Sequence, residues 1–228
     1  MTHTDWAALG VPQPVILSPA EVKAVGVLTI ILFNTSLVSA DRAPKTWDDL
    51  LNPEWKGHVA VPVDNSIGTD LAEVWGEDRA VDFWTKLVQN SVSIATAPDV
   101  GVRVSAGEFP LGVTRIQFAR LNKAKGAPVD FVIPDPVPFP VLAAAIPTTA
   151  AHPNAGRLFV QWLETPEGAT TYEQNTLRGN PFLPGTSEAA AVQGRQLAYW
   201  NGDPATTRQR AARADKFTQI AQRAGQAR

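Results

Sequence analysis

Arg115 closes the segment Gly112-Val113-Thr114-Arg115, where a β-prone run gives way to a helix-prone one. A guanidinium there can hold a carboxylate or phosphonate through two parallel hydrogen bonds, a planar match that an ammonium cannot make. The competing reading is a surface arginine paired with a neighbouring acid, and residue type does not choose between the two. A second polar set is Asp64-Asn65-Ser66-Ile67-Gly68-Thr69. Its glycine permits close backbone approach, and Ser66 and Thr69 add hydroxyls. Free N–H groups at a following helix start would favour an anion. The bland alternative is a capped loop without a ligand. Asn34, at the end of the apolar run 25–33, either touches ligand or closes a strand-end turn.

Other chemistries find little support. The 228 residues include no cysteine, which removes disulfides, thiolate metal ligands and cysteine nucleophiles. His3, His58 and His152 stand in unrelated contexts without the spacing of a zinc site, so neither a metal nor a cofactor is expected. Nucleophile-elbow, P-loop and dinucleotide-loop motifs are absent, and the adjacent Asp48 and Asp49 would face different ways on a helix. The expectation is therefore a binding protein and not an enzyme. A net charge of -2 offers no general field for nucleic acid or an anionic membrane. Arg208, Arg210, Arg213, Lys216 and Arg223 cluster after Pro204, but no aromatic residues interleave them, and a solvated helix face is the preferred reading. Trp47, Trp84 and Trp162 are phased for core packing rather than for ring stacking against a ligand. Lys23, the run Val25–Phe33 and Leu37-Val38-Ser39-Ala40 imitate a signal peptide. The run is far shorter than the ~20 residues of a membrane span and follows Asp5 and Glu21, so it reads as a buried strand.

The elements that must position these groups alternate. Thr46-Trp47-Asp48-Asp49 forms a capping-box pattern before a short helix stopped by Pro53. A strand is predicted over 58–63, a helix from Thr69, and another over 77–89 with Val81, Trp84, Leu87 and Val88 inward. A strand over 109–114, a helix over 115–125 and a strand over 129–133 complete a second βαβ unit. Four prolines in 134–140 mark a boundary, 141–146 is again a short apolar strand, and the chain beyond Pro153 reads as helices. The expected division sets 1–33 with 140–228 as one lobe and inserts 34–139 as the second.

One stretch carries a resemblance. Phe33-Asn34-Thr35 followed by Pro44-Lys45-Thr46-Trp47-Asp48-Asp49-Leu50-Leu51-Asn52-Pro53-Glu54-Trp55-Lys56-Gly57 is closely similar to a segment of the type II periplasmic binding proteins of the ferric-ion and thiamine transporter group. Weaker agreement follows at Ala106-Gly107-Glu108, at Lys125-Gly126-Ala127-Pro128-Val129, and from His152-Pro153-Asn154-Ala155 to Pro166-Glu167-Gly168. The resemblance implies an α/β fold of two lobes joined by crossing strands, with the first lobe incomplete, since only about 25 residues precede the first crossing strand where the family has a β-α-β-α stretch. It implies a periplasmic or extracytoplasmic solute-binding component of an ABC importer, with a small-molecule ligand held in an interlobe cleft, membrane permease subunits as partners, and iron transport as one possible cargo. The loop 65–69 resembles the one that holds a synergistic anion in ferric members. Where those members place a tyrosine pair, Gln117 and Phe118 stand here, which points to an anionic or zwitterionic organic molecule over bare iron. The alternatives are a truncated interaction fragment that no longer binds, and a small α/β enzyme.

Overall fold

The computed structural model describes every residue except 65, 95, 227 and 228. In chain order the elements are β1 (Ile16–Ser18), β2 (Glu21–Gly26), β3 (Thr29–Asn34), β4 (Val59–Pro62), α1 (Ser66–Trp75), α2 (Glu77–Asn90), β5 (Val92–Ile94), α3 (Ala97–Ser105) and β6 (Leu111–Arg115). There follow α4 (Ile116–Ala124), β7 (Val129–Val132), β8 (Val137–Pro138), β9 (Val141–Ala145), α5 (Pro153–Leu163), α6 (Pro166–Thr176), α7 (Ser187–Ala191), β10 (Leu197–Ala198) and α8 (Thr207–Gln226). They gather into two compact units, one of residues Met1–Val27 with Pro140–Gly194, the other of Leu28–Phe139 with Arg195–Arg228. The sequence division differs from these bounds at two places: residues 28–33 and 195–228 group with the inserted block.

The larger unit is built on a five-stranded sheet in the order β5-β4-β6-β3-β7. β4 runs parallel to β5 and β6, whereas β3 is antiparallel to both β6 and β7. All six residues of β3 are buried, as a central strand covered on both faces requires. Ile31, Phe33, Val59, Val61, Leu111 and Val113 from the sheet pack with Ile67, Leu71, Phe83, Trp84 and Leu87 from α1 and α2. α8 completes this core through Phe217, whose ring meets Trp84 edge-on at 6.4 Å. Along α8, Arg210 pairs with Asp70 and Glu73, Arg213 with Glu73, and Lys216 with Glu77. These pairs and the apolar face together dock a helix whose mean composition is polar. β8 and β10 form a separate two-stranded parallel pair.

The smaller unit holds the antiparallel sheet β1-β2-β9. Its core joins Trp6, Val11, Val15 and Val22 to Ile146, Val160, Ala169 and Leu183. Gly168 is required here: a Cβ would lie 1.9 Å from the Trp162 carbonyl oxygen, so only glycine lets α6 start this close to the end of α5.

Several expectations shift in register. The apolar run 25–33 is two strands, not one: β2 ends at Gly26 and β3 starts at Thr29, and they belong to different sheets. An apolar run records burial but not which sheet supplies the partners. The capping box forms, with Thr46 N–H donating to Asp49 Oδ2 at 2.9 Å and Asp49 N–H to Thr46 Oγ1 at 3.3 Å, but it opens a single 3-10 turn over Asp48–Leu51. The helix expected from Thr69 starts at Ser66, because Asp64 Oδ1 already accepts the Ser66 N–H at 3.1 Å and satisfies a first-turn donor. β6 runs Leu111–Arg115, and α4 starts after Arg115 rather than with it. β1, β5, α3 and β10 were not expected from the pattern; each strand among them is three residues or fewer, too short to show a period.

Candidate anion-binding site

The carboxyl end of β6 places Arg115, and the carboxyl end of its parallel neighbour β4 leads through Asp64 into α1. Both loops therefore open on the same edge of the sheet, the position where open α/β sheets present ligand sites. Antiparallel β3 brings its first residue to that edge, in register Thr29↔Arg115. The Arg115 side chain is only 11% exposed. Its Nη1 donates to Thr29 Oγ1, and its Nη2 donates to Ser66 Oγ at 2.6 Å and reaches Asp64 Oδ1 at 3.4 Å. Asp64 Oδ1 also accepts the Ser66 hydroxyl and the Ser66 N–H. One carboxylate oxygen and two hydroxyls, one of them at the start of α1, thus converge on one guanidinium.

One turn into α1 beyond Ser66, Asp70 is fully buried. Burial pushes its carboxyl up to about 6, against the pull of the Arg210 guanidinium, which donates to Asp70 Oδ1 at 2.7 Å. Its Oδ2 has no hydrogen-bond partner among the described residues. Arg115 adds a further favourable field at Asp70, and Glu73 opposes it.

Of the sequence candidates, Asp64, Ser66 and Arg115 come together. Asn65 lies outside the described residues. Thr114 is buried with its hydroxyl on Ala97 O at 2.6 Å, and Thr69 is buried within α1. Gly68 permits a close approach, but of Phe217: a Cβ would stand 2.5 Å from that ring. Asn34 sits at the opposite end of β3 from Thr29, with its amide donating to Val104 O at 2.9 Å and its oxygen accepting from Ser36 N–H at 2.9 Å. It closes a turn and does not reach Arg115. Thr29 and Asp70 went unnoticed in the sequence. A single hydroxyl inside an otherwise apolar strand, and an acid four residues after Ser66 on the same helix face, were the available signals.

Three comparisons bear on this geometry. Residues 5–178 match the family model described as bacterial extracellular solute-binding protein. An uncharacterised protein of Haemophilus influenzae is 32% identical over 133 residues, which is 55% of this chain and 38% of that protein's length. Among solved structures, iron-bound HitA from Pseudomonas aeruginosa superimposes with a TM-score of 0.73 at 16% identity, over 99% of this chain and 76% of that one. The periplasmic binding protein AfuA from Actinobacillus pleuropneumoniae, with fructose-6-phosphate bound, gives 0.68 at 18% identity, over 97% and 74%. At such identities the two structures speak for a shared fold, the mixed α/β plan of type II periplasmic binding proteins.

Proposed function

This chain belongs to the bacterial extracellular solute-binding proteins, and on that premise we propose that it captures a small anionic or zwitterionic organic solute for an ABC importer. The ligand's acidic group is held by Arg115, by the Ser66 hydroxyl and by N–H groups at the start of α1, and the loaded protein delivers it to permease subunits outside the cytoplasm. The observation that carries this reading is the nearly buried Arg115 guanidinium at the carboxyl edge of β4 and β6, facing a helix N-terminus. A desolvated guanidinium in that setting is costly to maintain without anionic partners and is strong when it meets one. Among the described residues no helix is long and apolar enough to cross a membrane.

Organic oxyanions fit better than ferric ion. Gln117 and Phe118 stand in the first turn of α4, where the ferric-type resemblance placed phenolates, and Gln117 is buried. Neither side chain is a hard anionic ligand for Fe(III).

The test is a thermal-shift panel on the purified chain with inorganic phosphate, phosphonates, citrate, small dicarboxylates, thiamine, polyamines and ferric citrate. A ligand at 100 times its Kd adds about 2.7 kcal/mol, a shift of several degrees for a chain of this size. The expected result is a shift with an oxyanion that disappears in Arg115→Ala and is only partly restored in Arg115→Lys. A flat panel, or a shift that survives Arg115→Ala, sinks this reading of the site.

A further inference from the structure

We propose that Asp64 determines the specificity of this site, because its carboxylate sits on the donor set that a ligand's anionic oxygen would use and must be displaced before a ligand can bind. The inference rests on the assignment of Arg115 and the start of α1 as the ligand site. Asp64 Oδ1 takes three donors at once: the Ser66 N–H at 3.1 Å, the Ser66 hydroxyl, and Arg115 Nη2 at 3.4 Å. A backbone N–H at a helix start, a hydroxyl and a guanidinium are the groups that recognise an oxyanion, and one internal oxygen engages all three.

The two acids near Arg115 differ in whether they can leave. Asp70 is buried and held by Arg210, so it stays in place. Asp64 is 44% exposed on the loop ahead of α1, and its carboxylate can turn into water at little cost. A carboxylate tethered beside its donors competes as though present at an effective concentration on the order of mM or more. A ligand bearing one carboxylate offers nothing that Asp64 does not already supply, and it binds poorly. A phosphate or phosphonate group carries more charge and a third acceptor oxygen, so it takes the same donors and leaves an oxygen for a further N–H at the start of α1. The site is thereby tuned to phosphoryl and phosphonyl groups and against monocarboxylates.

The experiment is titration calorimetry of the full chain with inorganic phosphate and with acetate, comparing wild type, Asp64→Asn and Arg115→Ala, each checked for folding by thermal melting. Asparagine keeps an oxygen to accept the Ser66 N–H while removing the charge, so the helix start survives. The expected result is that Asp64→Asn binds phosphate roughly threefold tighter and acetate roughly fivefold tighter, narrowing the preference for phosphate. Asp64→Ser should follow Asp64→Asn, which separates loss of the charge from new contacts made by the amide. Phosphate binding that is lost in Arg115→Ala but unchanged or weakened in Asp64→Asn overturns the role of Asp64 while leaving the site in place. No heat with either anion from any form overturns the site itself and this inference with it.

Discussion

Glu164, just past the end of α5, shows how much one buried carboxyl can govern. It is 2% exposed, Asn180 Nδ2 donates to its Oε2 at 3.3 Å, and its Oε1 has no hydrogen-bond partner among the described residues. Burial pushes this carboxyl up to about 8. The folded chain therefore keeps a proton that the unfolded chain releases near pH 4.5, and stability falls as pH rises through that window. Asp70, pushed up to about 6, contributes with the same sign but is exhausted above that value. Between pH of about 6 and about 8, the decline should belong to Glu164, with a slope approaching about 1.4 kcal/mol per pH unit. Urea unfolding across this range should show the decline in the wild type and its absence in Glu164→Gln. An equally steep decline in that variant would mean the carboxyl is ionised in the fold. The sequence shows Glu164 only as the residue before Thr165-Pro166, a place that reads as exposed; its burial follows from how α5 and α6 meet around Gly168.

At the scale of elements, α8 is where composition misleads most. Its five basic residues suggest a solvated face, yet Arg210, Arg213 and Lys216 pair with acids of α1 and α2, and Phe217 lies fully buried between those helices. Trp84 Nε1 donates to Phe217 O at 3.0 Å and fixes the docking height. The Lys216–Glu77 pair, exposed on both sides, contributes little, whereas the phenyl ring anchors the element. Phe217→Ala should cost about 3–5 kcal/mol in urea unfolding, and loss of the Lys216–Glu77 pair under about 1 kcal/mol. A Phe217→Ala cost no larger than that of an ion pair would show that charge holds the helix. The same ring occupies the space that the missing side chain of Gly68 leaves open, so the glycine expected to serve a ligand serves helix packing.

For the molecule as a whole, two units with separate apolar cores should melt as two overlapping calorimetric transitions, since multidomain chains depart from two-state behaviour. Inorganic phosphate should raise the transition that Phe217→Ala lowers, because Arg115 and α8 share a unit, while Val160→Ala should lower the other. A single transition moved by all three would show that the units unfold as one. Much of this plan was legible in the chain: the α/β alternation, the boundary at the proline-rich 134–140, and the Thr46–Gly57 segment rest on local patterns that the sequence carries in full. The strand-to-helix junction at Arg115 was legible to within a residue for the same reason, whereas the helix expected from Thr69 begins three residues earlier, at Ser66. The sequence by itself therefore determined the fold class and the family. The tertiary structure alone decided that Asn34 lies at the far end of β3, that Thr29 and Asp70 flank the arginine, and that Asp64 sits on the donors assigned to a ligand. These depend on strand register and on contacts between residues about 50 to 140 positions apart, which no periodicity within a segment records.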